Sequence, residues 1–190
     1  MAKYNANQFK QGIKVEVEGQ PFEMIGVEFV KPGKGGSFYR TKLKNLLNQR
    51  VIERTFKSND SVESADVLET SMRLLYTDND GAVFMDDKTF EQSTVSHEAL
   101  GENACWLKED VLYDIVFYQS QAIGITPPTF MELKITQTDP GERGNTASGR
   151  VLKPAELETG AKVQIPIFVD EGEIIKVDTR TGEYVARAGK

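Results

Sequence analysis

In residues 28–40, Glu-Phe-Val-Lys-Pro-Gly-Lys-Gly-Gly-Ser-Phe-Tyr-Arg, one lysine, Lys34, stands with glycines on both sides. Pro32 holds φ at about −65° and Gly33 tolerates φ > 0, so the pair suits the centre of a type II turn. Gly35 and Gly36 let the chain turn back without a Cβ clash. The spacing predicts a hairpin with Pro32, Gly33, Gly35 and Gly36 as its tip loop. Lys34 is then the single long side chain at the tip, an amine held clear of any core and free to meet an anion. Grouped glycines cost ordering entropy, which argues against a merely decorative charge.

Other chemistry is scarce. Gly33-Lys34-Gly35 lacks the Walker spacing of four residues between glycines and the Ser or Thr directly after the lysine, which excludes a nucleotide-hydrolysing loop. His97 is the only histidine, so one chain cannot supply a multi-histidine metal site. His97 and Cys105 lie close enough in sequence for a nucleophile pair. A buried thiol beside Trp106 with a surface histidine is the simpler expectation. Asp78-Asn79-Asp80-Gly81 lacks the later ligands and closing Glu of a calcium loop and reads as a turn. Asp86-Asp87 reads as a helix-start cluster. No catalytic residue, metal or cofactor is expected.

The elements that would position Lys34 read as β throughout. Ile13, Val15 and Val17 alternate with Lys14, Glu16 and Glu18, a half-buried strand. Strands continue through residues 22–29, with Gly26 a bulge, and through 38–43 and 51–56. That set has the size of an SH3-like barrel. A polar break at residues 57–61 marks a boundary near 64. Residues 67–76 and 82–85 flank an Asp-Gly hairpin, Thr89 with Gln92 is expected to cap a short helix, and 97–108 are partly helical. Strands at 111–118 and 122–125 complete an OB-type barrel. After Thr126-Pro127-Pro128, strands at 130–138, 163–169, 174–177 and 184–187 form a second small barrel. The expected fold is all-β, in three modules of residues 1–64, 65–126 and 127–190.

Charge is uneven across these modules. The net is +4 in 1–64, −9 in 65–126 and −1 in 127–190, within a chain total of −6. Residues 30–57 hold eight basic residues against one acid, Glu53. The first module therefore suits a polyanion such as RNA, while the middle one faces away or meets a basic protein. One cysteine cannot form an internal disulfide, no apolar run opens the chain, and no stretch has the length of a membrane span. The expectation is a cytoplasmic protein with no membrane partner.

Ordered words along the chain then resemble bacterial elongation factor P. They are Phe29-Val30-Lys31-Pro32-Gly33-Lys34-Gly35, Thr55-Phe56-Lys57-Ser58, Thr89-Phe90-Glu91-Gln92 and Thr126-Pro127-Pro128. In the last third come Lys153-Pro154-Ala155, Ile165-Pro166-Ile167-Phe168-Val169 and residues 176–184, Lys-Val-Asp-Thr-Arg-Thr-Gly-Glu-Tyr. The resemblance implies a KOW/SH3-like barrel and two OB-like barrels in an L-like arrangement. It implies a monomeric, non-enzymatic factor that binds the 70S ribosome between the peptidyl and exit tRNA sites and relieves stalling at consecutive prolines. Lys34 matches the lysine-tip branch, in which a lysyl-tRNA-synthetase-like ligase typically attaches β-lysine. Lys31, Arg40, Lys42 and Lys44 would meet peptidyl-site tRNA and rRNA. Gly144-Asn145-Thr146 stands where the family has a Gly-Asp-Thr word associated with the exit-site codon; Asn keeps hydrogen bonding but drops the negative charge. Tyr184 and Arg187 are candidate rRNA contacts.

The contrasting reading is a general single-stranded RNA-binding module or RNA chaperone. It would need stacking aromatics on an open strand face, and the neighbours Phe38 and Tyr39 should point to opposite faces.

Overall fold

The computed structural model describes residues 2–140 and 151–188. Short strands and tight turns dominate because β-branched and aromatic residues alternate with polar ones between Gly, Asp and Asn breaks. The chain packs as two compact units, one of Met1–Thr70 with Ile115–Gly124, the other of Ser71–Asp114 with Ile125–Lys190.

The first sheet contains β1 (Lys3–Asn5), β2 (Lys14–Val17), β3 (Gln20–Val30), β4 (Phe38–Asn45), β5 (Val51–Lys57) and β6 (Ser61–Ser64), in the order β1-β6-β2-β3-β4-β5. Ile13, Val15 and Val17 turn inward, as their alternation predicts, and join Phe9, Phe22, Met24, Leu43, Phe56 and Val62 in one core. The register of β3 against β4 slips between Met24 and Gly26, which is the bulge expected at Gly26. Beyond the slip, Val27 and Phe29 fall opposite Thr41 and Tyr39, and Glu28 falls opposite Arg40.

The second sheet holds β7 (Val67–Thr77), β8 (Gly81–Met85), β9 (Gln92–Ser96), β10 (Leu112–Tyr118) and β11 (Gln121–Thr126), in the order β11-β10-β7-β8-β9. The Asp78 carboxylate accepts from the amides of Asp80 (2.9 Å) and Gly81 (3.1 Å), closing the predicted hairpin turn. Two expectations fail here. No helix begins at Thr89 or Asp86-Asp87; Gln92 instead opens β9, which pairs along buried β8. Asp86 accepts from the amides of Lys88 (2.7 Å) and Thr89 (3.1 Å), bonds that make a turn and hold its carboxyl below the usual range. Asp87 is gripped at both oxygens by Arg73, which lowers its pKa. The helix α1 (His97–Leu100) starts later, with the Ser96 hydroxyl accepting from the Ala99 amide, and a 3-10 turn, Gly101–Trp106, follows it.

Tyr113 anchors that turn. Its hydroxyl donates to the Trp106 carbonyl (2.7 Å) and accepts from the Lys108 amide (2.8 Å). Burial pushes its pKa up to about 12. A raised folded pKa stabilises the fold fully below the unfolded value near 10 and loses that contribution as pH climbs through 12. Tyr113→Phe is therefore expected to flatten the alkaline fall in unfolding free energy across that window. Equal slopes for both proteins in urea titrations would contradict it.

The third sheet closes into a barrel of β12 (Phe130–Thr138), β13 (Leu152–Leu157), β14 (Lys162–Pro166), β15 (Ile174–Asp178) and β16 (Glu183–Arg187), in the order β12-β13-β14-β16-β15. Met131, Leu133 and Ile135 alternate into its core against Ile165, Ile175 and Val177. Among the described residues no helix is long and apolar enough to cross a membrane.

Candidate functional site

The hairpin of β3 and β4 carries the site. The strands pair out to Val30 and Phe38, leaving residues 31–37 as the connecting loop. Lys34 lies in its middle and is exposed, as are Gly33, Gly35 and Gly36; Pro32 is half-buried. The reversal is not the predicted type II turn. Gly33 is not in the positive-φ region; Gly35 is, at φ 111°. A seven-residue connection spreads the reversal, so the left-handed position moves past the lysine.

The hairpin is stiffened from below. Phe9 meets Tyr39 (5.9 Å between ring centroids) and Phe56 (5.2 Å) edge-on, and Tyr39 meets Phe29 (4.9 Å), so an aromatic column runs from the core toward the tip. Such pairs add about 1 kcal/mol each beyond their burial. Phe29, at the outer end, is 53% exposed.

The opposite face bears the cations. Thr41, Leu43 and Asn45 turn inward, so Arg40, Lys42 and Lys44 share the outward face, each two residues from the next. Lys57 joins them through its pairing with Phe38. The Lys42 stem lies over Gly26, where a Cβ would come within 3.5 Å of it. The face also holds acids. Arg40 pairs with Glu28 (3.4 Å) and Lys42 with Glu53 (3.7 Å). These exposed pairs are worth little in stability and open easily to a competing phosphate. Lys31, Lys34 and Lys44 form no salt bridge among the described residues.

The remaining predicted positions do not join this hairpin site. Gly144, Asn145 and Thr146 lie outside the described residues. Tyr184 is half-buried and lines an open groove on the third barrel with Leu152, Pro154, Phe168 and Val185. Arg187 is engaged within the same barrel: it pairs with Glu173 (2.9 Å), donates to the Phe168 carbonyl, and lies 5.1 Å over the Phe168 ring. Cys105 is half-buried and its thiol is pushed up by burial, while His97 is exposed beside the Asp78 carbonyl. Among the described residues no three His, Cys, Asp or Glu side chains gather as metal ligands. The arrangement can therefore present an amine and cations, and shows no assembled nucleophile or metal centre among those residues. Sequence reasoning did not foresee the root of the loop, where Ser37 and Ser58 meet across a 2.6 Å contact between hydroxyls. The one available signal was the word ending in Ser58.

Three family profiles match in succession: the elongation factor P KOW-like domain over residues 5–62, its OB domain over 67–125, and its C-terminal domain over 131–187. A protein of Protochlamydia amoebophila named elongation factor P 2 is 59% identical over 98% of each chain. Its namesake in Chlamydia pneumoniae is 55% identical over both full lengths. Among solved structures, eukaryotic translation initiation factor 5A from Methanococcus jannaschii superposes with TM-score 0.53 at 21% identity, covering 66% of this chain and 94% of that one. At that identity the likeness speaks for the fold.

Proposed function

The chain belongs to the elongation factor P family, and from that premise we propose that it works as a translation elongation factor through Lys34. It binds the 70S ribosome between the peptidyl and exit tRNA sites and speeds peptide bond formation where consecutive prolines stall it. The observation that carries this is one exposed lysine at the end of a hairpin braced by an aromatic column and flanked by a cationic face. Such a lever supplies reach and charge but no acid, base or nucleophile, and the factor is non-catalytic. Prolyl acceptors react slowly, and a peptidyl-tRNA held in register loses less entropy on the way to reaction. Arg40, Lys42 and Lys44 hold phosphates of the tRNA and rRNA from one face, with Lys31 beside the tip. Lys34 carries a β-lysyl group added by a lysyl-tRNA-synthetase-like ligase, which lengthens the cation.

The rest of the reading follows the same family pattern. The domains divide near residues 64 and 126, which fall in the gaps between the matched profiles. Gly144-Asn145-Thr146 meets the exit-site codon, Tyr184 and Arg187 meet rRNA, and the protein acts as a cytoplasmic monomer.

The test is reconstituted translation of a template with consecutive proline codons beside a proline-free control. The protein should raise the rate on the first and leave the second unchanged. Equal rates with and without it on the proline template would refute the proposal. Equal binding to free single-stranded RNA and to ribosomes would favour a general RNA-binding module.

A further inference from the structure

Of the word Thr55-Phe56-Lys57-Ser58, the last residue has no role in the function proposed above, yet it sits at the root of the tip loop. The Ser58 amide (3.2 Å) and the Ser58 hydroxyl (2.8 Å) both donate to the Ser37 carbonyl. The two serine hydroxyl oxygens are 2.6 Å apart. A hydroxyl has one hydrogen, and that of Ser58 is committed to the carbonyl, so Ser37 is the donor between the hydroxyls. Three hydrogen bonds, two to its carbonyl and one from its hydroxyl, thus tie Ser37 of the loop to one residue outside the hairpin.

Ser58 is itself fixed. The Asp60 carboxylate accepts from the Lys57 amide (2.7 Å), and the Asp60 amide donates to the Lys57 carbonyl (2.9 Å). The Asp60 carbonyl accepts from the amide of Ala6, a residue buried in the core (2.9 Å). On the other side Phe56, two residues before Ser58, packs edge-on against Phe9. Ser58 therefore projects from a turn anchored at both ends, and Ser37 is held to that turn rather than only to its own strand.

Three of the seven loop residues are glycines, which leave the backbone between Val30 and Phe38 unusually free. Ladder pairing stops at Phe38, so without the serine contact the free segment would run through Ser37. The contact ends it three residues after Lys34. We propose that Ser58 is a positioning residue for Lys34: by holding Ser37 it shortens the free loop and presents the amine already ordered to the tRNA end that it serves. This rests on the reading of Lys34 given above.

Ser58→Ala removes both hydroxyl-mediated bonds and leaves the amide bond. On the consecutive-proline template, the maximal rate at saturating factor is expected to fall about fivefold, the scale of one or two ordinary hydrogen bonds. The half-saturating concentration should stay within about twofold, because the cationic face is untouched. Amide exchange at Gly33 and Gly35 should quicken. Ser58→Thr, which keeps the hydroxyl, should restore both rate and protection. Unchanged exchange in Ser58→Ala would overturn the proposal, as would a Ser58→Thr variant as impaired as the alanine one, since that points to packing. Lys34→Ala runs alongside to separate the two ideas. If it is inactive while Ser58→Ala reaches the wild-type rate, only the positioning role is lost. If Lys34→Ala is fully active, the reading of the tip fails and the exchange result alone decides whether the serine contact orders the loop.

Discussion

Lys34→Ala is expected to abolish rescue of consecutive-proline synthesis while leaving the fold intact. Lys34 is exposed and has no salt bridge among the described residues, so its loss should change stability by less than about 0.5 kcal/mol. Binding should weaken only modestly, since Arg40, Lys42 and Lys44 remain. If Lys34 meets one phosphate, the salt dependence of binding should fall by about one unit of slope. The rate is another matter, because positional effects reach factors of about a hundred for displacements near 1 Å. Lys34→Arg separates charge from chemistry: a guanidinium keeps the charge but offers no primary amine for the ligase proposed above, so it should restore little. Rescue by arginine to the wild-type rate would show that charge alone suffices. The tip peptide from native cells should show added mass on Lys34, and an unmodified yet fully active protein would remove the extension from the mechanism.

Gly81→Ala is expected to destabilise the fold strongly. Gly81 opens β8 with φ at 151°, and a Cβ there would stand 2.0 Å from the Val95 carbonyl oxygen and 2.9 Å from its carbon. Both are backbone atoms of paired β9, so no side chain can swing aside. Torsional strain alone costs about 1–3 kcal/mol, and the clash adds the opening of the β8–β9 edge. A loss of about 3 kcal/mol or more follows. Trp106, the only tryptophan, is buried at the end of the 3-10 turn and gives a fluorescence signal for this part of the chain. Gly182→Ala sets the scale for strain without collision, with φ at 70° and no atom within 4 Å of the added Cβ; about 1 kcal/mol is expected there. A Gly81→Ala protein whose urea midpoint matches that of the parent would refute the steric argument.

Strands with strict alternation were legible in the sequence because one face of each is core. Residues 13–17 and 130–138 are examples, and the bulge at Gly26 and the hairpin at Gly81 announced themselves through glycine and Asp-Gly. β9 was not legible. Gln92-Ser-Thr-Val-Ser has a single apolar residue, and only pairing to the buried run Ala82, Val83 and Phe84 makes it a strand. β13 was hidden by Pro154, which lies opposite Gln164 and spends no amide there. The charge of the site was legible only in part. A linear window shows eight cations and one acid, but pairing brings Glu28 beside Arg40 from the neighbouring strand, just outside that window. The serine contact at the loop root joins residues 21 apart, through a register that no local pattern encodes.

The slip between Met24 and Gly26 also bears on how this hairpin can change over generations. It adds one residue to β3 and so reverses the odd–even phase of everything beyond it. Upstream, Phe22 and Met24 face the core; downstream, Val27 does, with the exposed Phe29 on the same side of the sheet, while Glu28 and Val30 take the outer face. Losing the codon of Ile25, the residue left without a partner, would remove the slip and keep Gly26 through Val30 opposite their present partners, whereas gaining one residue beyond an unchanged slip would swap Phe29 with Glu28 across the sheet, leaving a carboxylate beneath the tip and an aromatic ring among the cations. With the slip kept, lengths beyond it that differ by two residues preserve the faces and lengths that differ by one invert them. Inheritance can therefore change the lever in even steps, or by a single residue where the slip itself is lost or doubled.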